Sequence, residues 1–301
     1  MSLFSVGFLA ASGLGYVVIP SGPEAWRYVL LITALPICVL SWWRRVLPES
    51  PRWLASKGRT REAEGVVARI EAEYRARSGP LPPPIELPAL TETEWPVSRD
   101  LVPRHLFSKA LARGTSMAVL AWFAIGYAYY AFFTWMPSLL VDRGRGLVGS
   151  YAFAIVIYAA QIPGYLTAAM LNDLIGRRAV TASYMLLGAL SAGCLATATG
   201  DFSVLAGACC VSFFMNGTYA GIYAYTPELF PTEVRATAQG LALASSRIAA
   251  AISPIVVGCA YPKLGFVGVF GLSSGILACG ALVVAVLGTA TRNVSLERIS
   301  R

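Results

Sequence analysis

Long apolar stretches alternate with short polar ones along this chain. Eight apolar runs of roughly 18–25 residues are each long enough to cross about 30 Å of hydrocarbon as a helix. They cover residues 3–19, 26–43, 115–139, 150–171, 179–199, 202–225, 237–260 and 266–289. Spanning strands would need only about ten residues of alternating polarity, whereas these runs are continuous. The pattern predicts an all-α polytopic membrane protein with about eight transmembrane helices.

The first apolar run, MSLFSVGFLAASGLGYVVIP, could also be a cleaved signal peptide. It has no basic n-region, and it is long for the apolar part of such a peptide. A transmembrane helix is therefore the favoured interpretation.

The polar segment between the second and third runs has its own pattern. Within SKGRTREAEGVVARIEAEYRAR, apolar Val66, Val67, Ile70 and Tyr74 alternate with charges, which predicts an amphipathic surface helix over about 59–76. The phrase GPLPPPIELPAL follows, and its prolines predict a stiff, extended spacer.

These features divide the chain into three predicted domains. Residues 1–45 hold two transmembrane helices, and 46–113 form a connector with the amphipathic helix. Residues 114–301 form a six-helix bundle with a short tail.

Composition agrees with a membrane protein, since 56% of the 301 residues are hydrophobic and only 13% are charged. A soluble domain carries about 25% charge. The net charge of +8 is explained by topology. With eight spans, most Lys and Arg residues fall on the side of both termini and the connector, which the positive-inside rule assigns to the cytoplasm. We therefore expect a multi-pass cell-membrane protein with the lipid bilayer as its partner and no nucleic acid.

Enzymatic and metal chemistry have no candidate residues in the sequence. All six cysteines lie within apolar runs, and none forms a CxxC pair or lies in an outside loop. They are Cys38, Cys194, Cys209, Cys210, Cys259 and Cys279. The single histidine, His105, has no plausible nucleophile beside it. We expect no cofactor, no metal site and no enzymatic activity.

Four polar phrases lie at the ends of apolar runs. They are LPESPRWLASKGR (47–59), NDLIGRR (172–178), TPELFPTEVRATAQG (226–240) and RNVSLERI (292–299). In this order they resemble the loops of the major facilitator superfamily that follow helices six, eight, ten and twelve. Leu174 departs from the family's usual Arg. Asn293 replaces Gly in the last phrase, and Ala290, just before that phrase, replaces Glu.

The resemblance covers the whole chain as family helices five to twelve. We therefore expect that the first four helices of the fold are absent from these 301 residues. The resemblance implies transport by alternating access, with coupling to protons typical of the branch.

The charged loop residues are candidates for a cytoplasmic latch, which the resemblance implies would open and close in each transport cycle. They are Asp173, Arg177, Arg178, Glu228, Arg235, Glu49 and Arg52. From the residues alone, Glu228 can pair with Arg235 or with Arg177. The fold that the resemblance implies places Asp173 near the N-terminus of a helix that begins near Thr237, where a carboxylate is favourable. The alternative is that these charges only anchor loops and set the topology.

Polar and aromatic residues at helical spacing mark a candidate substrate path. The runs 115–139, 150–171 and 202–225 each carry such a stripe, which includes Phe123, Thr134, Tyr165 and Tyr219 in addition to the chosen candidates. Packing is the alternative role for each aromatic residue, whereas an amide that faces lipid would be costly. The candidates for substrate binding are Gln161, Asn216, Tyr127, Tyr130, Tyr158 and Tyr223.

Arg247 is the sharpest candidate, since it lies about ten residues into an apolar run. Snorkelling to the cytoplasmic surface is one possibility. The other is that it binds an anionic substrate or a partner carboxylate, because charges at membrane depth are costly and usually functional. Its place resembles that of an Arg in the organic-ion-transporter-like branch.

The third run lacks the Q-Q-x-S-G phrase of sugar porters. Its YY…WMPSLL…G pattern resembles bacterial carriers of aromatic acids, niacin-like compounds and other organic ions. This implies a transporter of a small organic or aromatic acid. A sugar transporter of the same superfamily is one alternative. A non-transporting sensor, a remnant, or a half that needs another polypeptide is the other.

Overall fold

The computed structural model describes residues 2–22, 24–81, 106–109, 111–142 and 147–289. The described part is helical and contains no strand, so the predicted all-α class is confirmed. The helices are α1 Ser2–Val18, α2 Ala25–Ala34, α3 Pro36–Val46, α4 Pro51–Ser56, α5 Thr60–Ser78, α6 Ala112–Asp142, α7 Leu147–Ala159, α8 Gln161–Leu174, α9 Arg177–Thr197, α10 Asp201–Glu228 and α11 Thr232–Leu287. A 3-10 turn, Ile19–Ser21, follows α1.

Helix α11 is two helices joined at a kink. Gly265 has φ 61° and ψ −165°, which a residue with a side chain rarely adopts. We call residues 232–264 the first arm and residues 266–287 the second arm. The first arm begins at Thr232, five residues before the predicted Thr237, because Pro231 (φ −57°, ψ 154°) ends the preceding turn and helix-forming residues follow directly.

Six described helical stretches are long and apolar enough to cross a bilayer. They are Ala25–Arg44, Ala112–Met136, Ala152–Leu174, Arg177–Thr197, Asp201–Glu228 and Val234–Leu287. The last has 54 residues, about 80 Å at a rise of 1.5 Å per residue, so its two arms provide two crossings. A shorter apolar helical stretch, Ser5–Ser21, lies at the position of the first predicted run.

Prolines divide two of the predicted runs. Pro36 and Pro163 have no backbone N–H to give to the preceding turn. The breaks fall at Leu35, between α2 and α3, and at Ala160, between α7 and α8. Both break residues keep right-handed helical torsions, so each pair of helices continues in nearly one direction.

The described chain forms two compact units, one from residues up to Val29 and after Val97, the other from Leu30 onwards to residue 81. In the second unit, α5 agrees with the predicted amphipathic helix and exposes Val67, Ile70 and Tyr74. The phrase LPESPRWLASKGR, which follows the second apolar run, contains the short helix α4, and this helix buries Leu54. The remainder of the spacer, from residue 82, and the phrase 292–299 lie outside the described residues.

The charged side chains at the start of α5 pair with each other at the surface. Arg59 donates from Nε and Nη2 to the two carboxylate oxygens of Glu62, at 2.8 and 2.7 Å. This contact holds the pKa of Glu62 below its ordinary value.

In the first unit, α6 packs along α11, α9 fills the space between α11 and α10, and α10 contacts α8. α1 packs on α7 and α8. The core is large and apolar, and its largest fully buried side chains are Trp122, Tyr225, Phe132, Phe270, Leu106, Met117, Ile125, Met185, Leu195, Met215 and Ile222.

Two glycines allow α8 and α10 to cross in backbone contact. A Cβ atom on Gly217 would lie 3.0 Å from the Gly164 carbonyl oxygen and would overlap the Tyr184 ring. A Cβ atom on Gly164 would lie 3.0 Å from the Cα atom of Phe213 and closer still to its carbonyl oxygen. Small residues at such crossings are the usual means of close helix packing in membranes.

We predict that Gly164→Ala lowers the free energy of unfolding by about 1–3 kcal/mol, because the added methyl group meets backbone that has to move. The measurement is thermal unfolding of the detergent-solubilised chain. Gly275→Ala is the matched control, since nothing lies within 4 Å of its added Cβ and alanine favours a helix. Equal melting temperatures for the two variants would contradict the close crossing.

Candidate functional site

The site is built around a close crossing of α6 and the first arm of α11. A Cβ atom on Gly126 would lie 2.8 Å from the carbonyl oxygen of Ser246 and 3.0 Å from its Cα atom. The Ser245 hydroxyl donates to the Val119 carbonyl at 2.9 Å across the same crossing. The backbone at Ser246 is therefore fixed against α6, and Arg247 is the next residue.

Arg247 lies deep in the first arm. It follows Val234, where the apolar stretch begins, by 13 residues, about 20 Å along the helix axis. Its Nη1 donates to the Tyr130 hydroxyl at 2.7 Å, and its charge is within electrostatic range of the Tyr223 hydroxyl. Arg247 itself is exposed, whereas Tyr130 and Tyr223 are half-buried. No acidic residue in the described part of the chain forms an ion pair with it.

Seven aromatic rings from four helices form a continuous series beside Arg247, which we call the aromatic row. Successive ring centroids are 5.4, 5.5, 4.3, 5.3, 6.0 and 4.6 Å apart. In order the row is Phe8, Tyr158, Phe133, Tyr129, Tyr219, Trp122 and Tyr223. Offset and edge-to-face pairs at these distances are favourable and hold the rings in fixed orientations.

Hydrogen bonds to neighbouring hydroxyls fix two of these rings further. The Trp122 Nε1–H donates to the Thr226 hydroxyl at 2.9 Å, and both groups are buried. Tyr219 is hydrogen-bonded through its hydroxyl to Ser246, the residue at the close crossing. The aromatic row and Arg247 are therefore tied to the same point of α11.

The structure brings three predicted substrate-binding residues together, namely Arg247, Tyr130 and Tyr223, and adds Tyr158 through the aromatic row. It separates Tyr127 from them. Tyr127 is 3% exposed and packs in an apolar cluster with Ala249, Val257 and Val269. Tyr127 lies one turn before Tyr130 on α6, and its neighbours are apolar side chains from both arms of α11.

The two predicted amides, Gln161 and Asn216, are both fully buried. Asn216 donates from Nδ2 to the Ser212 carbonyl at 2.8 Å, while its Oδ1 has no partner among the described residues. Neither the oxygen nor the nitrogen of the Gln161 amide has a partner in that part of the chain.

Sequence reasoning did not select Trp122, Tyr129 or Ser246 as site residues, although they lie in the centre of the site. It chose the face of α6 that carries Phe123, Tyr127, Tyr130 and Thr134, of which Thr134 is exposed. The available signal was Gly126, which lies at helical spacing between Trp122 and Tyr129 and marks the face of closest approach.

Loop charges form an ion-pair cluster at one end of the first unit. Arg177 Nε lies 3.0 Å from Glu228 Oε1, and Arg177 Nη2 lies 3.5 Å from Asp173 Oδ1. The Arg177 and Glu228 side chains are 26% and 25% exposed, whereas Asp173 is 80% exposed. Of the two partners that the sequence allowed for Glu228, the structure selects Arg177. Arg235 instead donates from Nε to the Phe230 carbonyl at 3.2 Å.

Arg178 holds the end of α11. It donates to the Ala285 carbonyl, and Arg113 donates to the carbonyls of Val286 and Leu287 at 2.9 and 3.0 Å. Tyr225 donates to the Thr289 carbonyl at 2.6 Å. These groups satisfy carbonyls that have no partner within the helix, and the two cations face the negative end of its dipole.

The remaining latch candidates, Glu49 and Arg52, belong to the second unit. Glu49 is exposed and lies within electrostatic range of Arg59. The side chain of Arg52 lies outside those that the structure describes.

We predict a coupling free energy of roughly 0.5–3 kcal/mol between Arg177 and Glu228, because the pair is largely shielded from water. A double-mutant cycle of Arg177→Gln and Glu228→Gln, followed by denaturant unfolding in detergent, measures it. The control cycle uses the solvent-exposed pair Arg75 and Glu71, whose charged atoms lie 3.2 Å apart, and the coupling expected there is at most about 0.5 kcal/mol. If the coupling free energy at Arg177–Glu228 is no larger than in the control, the claim that shielding from water strengthens this pair is wrong.

Comparison with known proteins shows the family of this chain. Residues 2–301 match the family described as "Sugar (and other) transporter". The chain is 34% identical over 299 residues to "Niacin transporter NiaP" of Acinetobacter baylyi, and the match covers 99% of this chain and 66% of the relative. It is 28% identical to "Putative niacin/nicotinamide transporter NiaP" of Bacillus subtilis, covering 98% of this chain and 65% of the relative.

Among solved structures, the chain is similar to the proton:xylose symporter XylE bound to 6-bromo-6-deoxy-D-glucose. The TM-score is 0.68 at 18% identity, and the match covers 97% of this chain and 63% of the symporter. The chain thus spans just under two thirds of the length of these proteins. It is a multi-pass membrane protein, and it belongs to the sugar (and other) transporter family of the major facilitator superfamily.

Proposed function

We propose that this protein is a secondary active transporter, without enzymatic activity, that moves a small organic or aromatic acid across the cell membrane by alternating access. The observation that carries the proposal is Arg247, a guanidinium at membrane depth beside the aromatic row whose described hydrogen-bond partner is the neutral Tyr130 hydroxyl. Charges inside membrane spans usually pair with another charge or mark a substrate path.

A carboxylate is the chemical group that best completes this site. Guanidinium groups bind carboxylates through two parallel hydrogen bonds, and only one Arg247 nitrogen bonds to Tyr130. The rings of Tyr219, Trp122 and Tyr223 offer faces and edges against which a planar substrate ring can pack. The relatives of this chain named for niacin, which is a pyridine carboxylate, support an acid of this type.

A sugar is the second candidate substrate, favoured by the family match and by the likeness to the xylose symporter. That likeness, at 18% identity, shows the fold alone. A neutral sugar would leave the Arg247 charge without a counter-ion, so the acid is the better supported substrate.

The proposal includes the motion and its energy source. We propose that Arg177 with Glu228 and Asp173 forms the latch at the cytoplasmic side, together with Arg235, while Arg178 anchors the end of α11. Glu49 and Arg52, in the second unit, stay latch candidates from the resemblance alone. The three domains 1–45, 46–113 and 114–301, and the cytoplasmic position of both termini, belong to the same proposal. Proton coupling is supported only by the resemblance to the branch, since the acidic side chains described in the spans lie at helix ends, at Asp173, Asp201 and Glu228.

We predict that Arg247→Ala abolishes uptake of radiolabelled pyridine-3-carboxylate by cells that express the chain, because the carboxylate loses its counter-ion. Membrane insertion, followed with a fluorescent fusion, is expected to be unchanged. Arg69→Ala on the surface of α5 removes an exposed arginine and is the matched control that retains uptake. Uptake that survives Arg247→Ala would overturn the role of Arg247.

We also predict that Tyr130→Phe raises the KM for this substrate by roughly tenfold, because hydrogen bonds to charged groups contribute about 1.5–3 kcal/mol. Initial-rate uptake at varied substrate concentration measures the change. Tyr184→Phe is the control, since it also removes a hydroxyl but one that bonds to Thr167, at 3.0 Å, outside the aromatic row. If both variants change KM equally, the proposed role of the Tyr130 hydroxyl beside Arg247 is wrong.

A further inference from the structure

Gln161, Asn216 and Tyr129 carry an unusual concentration of unpaired polar atoms. Gln161 and Asn216 are 0% exposed, and Tyr129 is 6% exposed. Within the part of the chain that the structure describes, four of their atoms have no hydrogen-bond partner: Gln161 Nε2, Gln161 Oε1, Asn216 Oδ1 and the Tyr129 hydroxyl. A buried polar atom that is left unsatisfied destabilises the fold, so these atoms call for a partner.

These three residues border the aromatic row. Tyr129 is a member of the row. Gln161 follows Tyr158 by three residues and precedes Tyr165 by four, and the helical torsions of Ala160 keep all three on one face. The Tyr165 hydroxyl is within electrostatic range of those of Tyr129 and Tyr219. Gln161 therefore lies on the face of α7 and α8 that carries Tyr158, a member of the aromatic row.

Asn216 reaches the row from α10, since it precedes Tyr219 by three residues and lies on the same helical face. The polar groups next to it are satisfied. The Ser212 hydroxyl donates to the Ile157 carbonyl at 2.7 Å, and Asn216 Nδ2 donates to the Ser212 carbonyl. Only the amide oxygen is left without a partner among the described groups.

The four atoms indicate which hydrogen-bonding groups a ligand would need in order to pair with them. Gln161 Nε2 is a donor, Gln161 Oε1 and Asn216 Oδ1 are acceptors, and the Tyr129 hydroxyl is both. A hydroxyl group on a ring matches both kinds, and a ring nitrogen accepts from the donors. A plain hydrocarbon ring matches none, and would leave all four unsatisfied.

We propose that Gln161, Asn216 and Tyr129 form a second polar subsite, which selects aromatic carboxylates that carry a further hydrogen-bonding group on the ring over those that do not. This inference rests on the proposed function, since Arg247 has to hold the carboxylate. Gln161 is its specificity-determining residue, because both ends of its amide are unpaired among the described atoms.

The test compares three probes that share a carboxylate, namely benzoate, pyridine-3-carboxylate and 3-hydroxybenzoate. Their affinities for the purified full chain are measured by calorimetry. We expect benzoate to bind roughly tenfold or more weakly than at least one of the other two. If the unaltered chain binds all three probes with equal affinity, that result alone overturns the subsite.

Gln161→Leu tests the assigned residue. We expect it to bind benzoate at least as well as the unaltered chain does and to lose the preference for polar rings. Its melting temperature is expected to be unchanged or raised, because a buried unpaired amide has been replaced by an apolar group. A preference that persists in this variant would overturn the role of Gln161, and so would a melting temperature that falls without any change in preference.

Arg247→Ala separates this inference from the proposed function. If that variant binds none of the three probes, and if the selectivity depends on Gln161, both the proposed function and the subsite are supported. Binding of benzoate that does not require Arg247 would overturn the proposed function itself. Binding that requires Arg247 but is equal for the three probes would overturn the subsite alone.

Discussion

The site depends on one constraint, which is that the guanidinium of Arg247 lies at membrane depth and needs polar or charged partners there. Arg247 lies about 20 Å along the helix axis from the start of its apolar stretch, where an unpaired charge is costly. The Tyr130 hydroxyl meets one nitrogen at 2.7 Å and leaves donors for a further partner. A site that is half-satisfied by a neutral group is suited to an anion that arrives and leaves.

Such a site requires helices that are packed firmly against each other. Glycine residues allow this close packing at two helix crossings. At Gly126 the backbone of α6 approaches Ser246, and at Gly164 and Gly217 the backbones of α8 and α10 meet. Between these crossings lie the rings of Tyr129 and Tyr219, at a centroid distance of 5.3 Å. Arg113 and Arg178 bind the last carbonyls of α11, and Tyr225 binds the carbonyl of Thr289 just beyond it, which fixes that end of the helix.

Much of this architecture could be predicted from the sequence, because apolar runs, prolines and charges act locally. The runs gave the spans, Pro36 and Pro163 mark the breaks in two of them, and Arg247 was visible as a charge in an apolar run. Apolarity does not show which face of α6 meets the first arm of α11, since nearly every residue of that helix is apolar, and Gly126 is the one local signal of that face. The contact between Tyr130 and Arg247 joins residues 117 positions apart, which no local pattern reports.

The central claim is that Arg247 binds a carboxylate, and the most direct measurement compares one ring with two head groups. Benzoate and benzamide have nearly the same shape but differ in charge, and their affinities for the purified chain can be measured by calorimetry. The account predicts that benzoate binds at least roughly tenfold more tightly, since hydrogen bonds to a charged group are the stronger ones. It also predicts that this preference falls severalfold in Arg247→Lys, whose ammonium keeps the charge but lacks the planar fork that matches a carboxylate. Equal affinities of benzoate and benzamide for the unaltered chain would contradict the account.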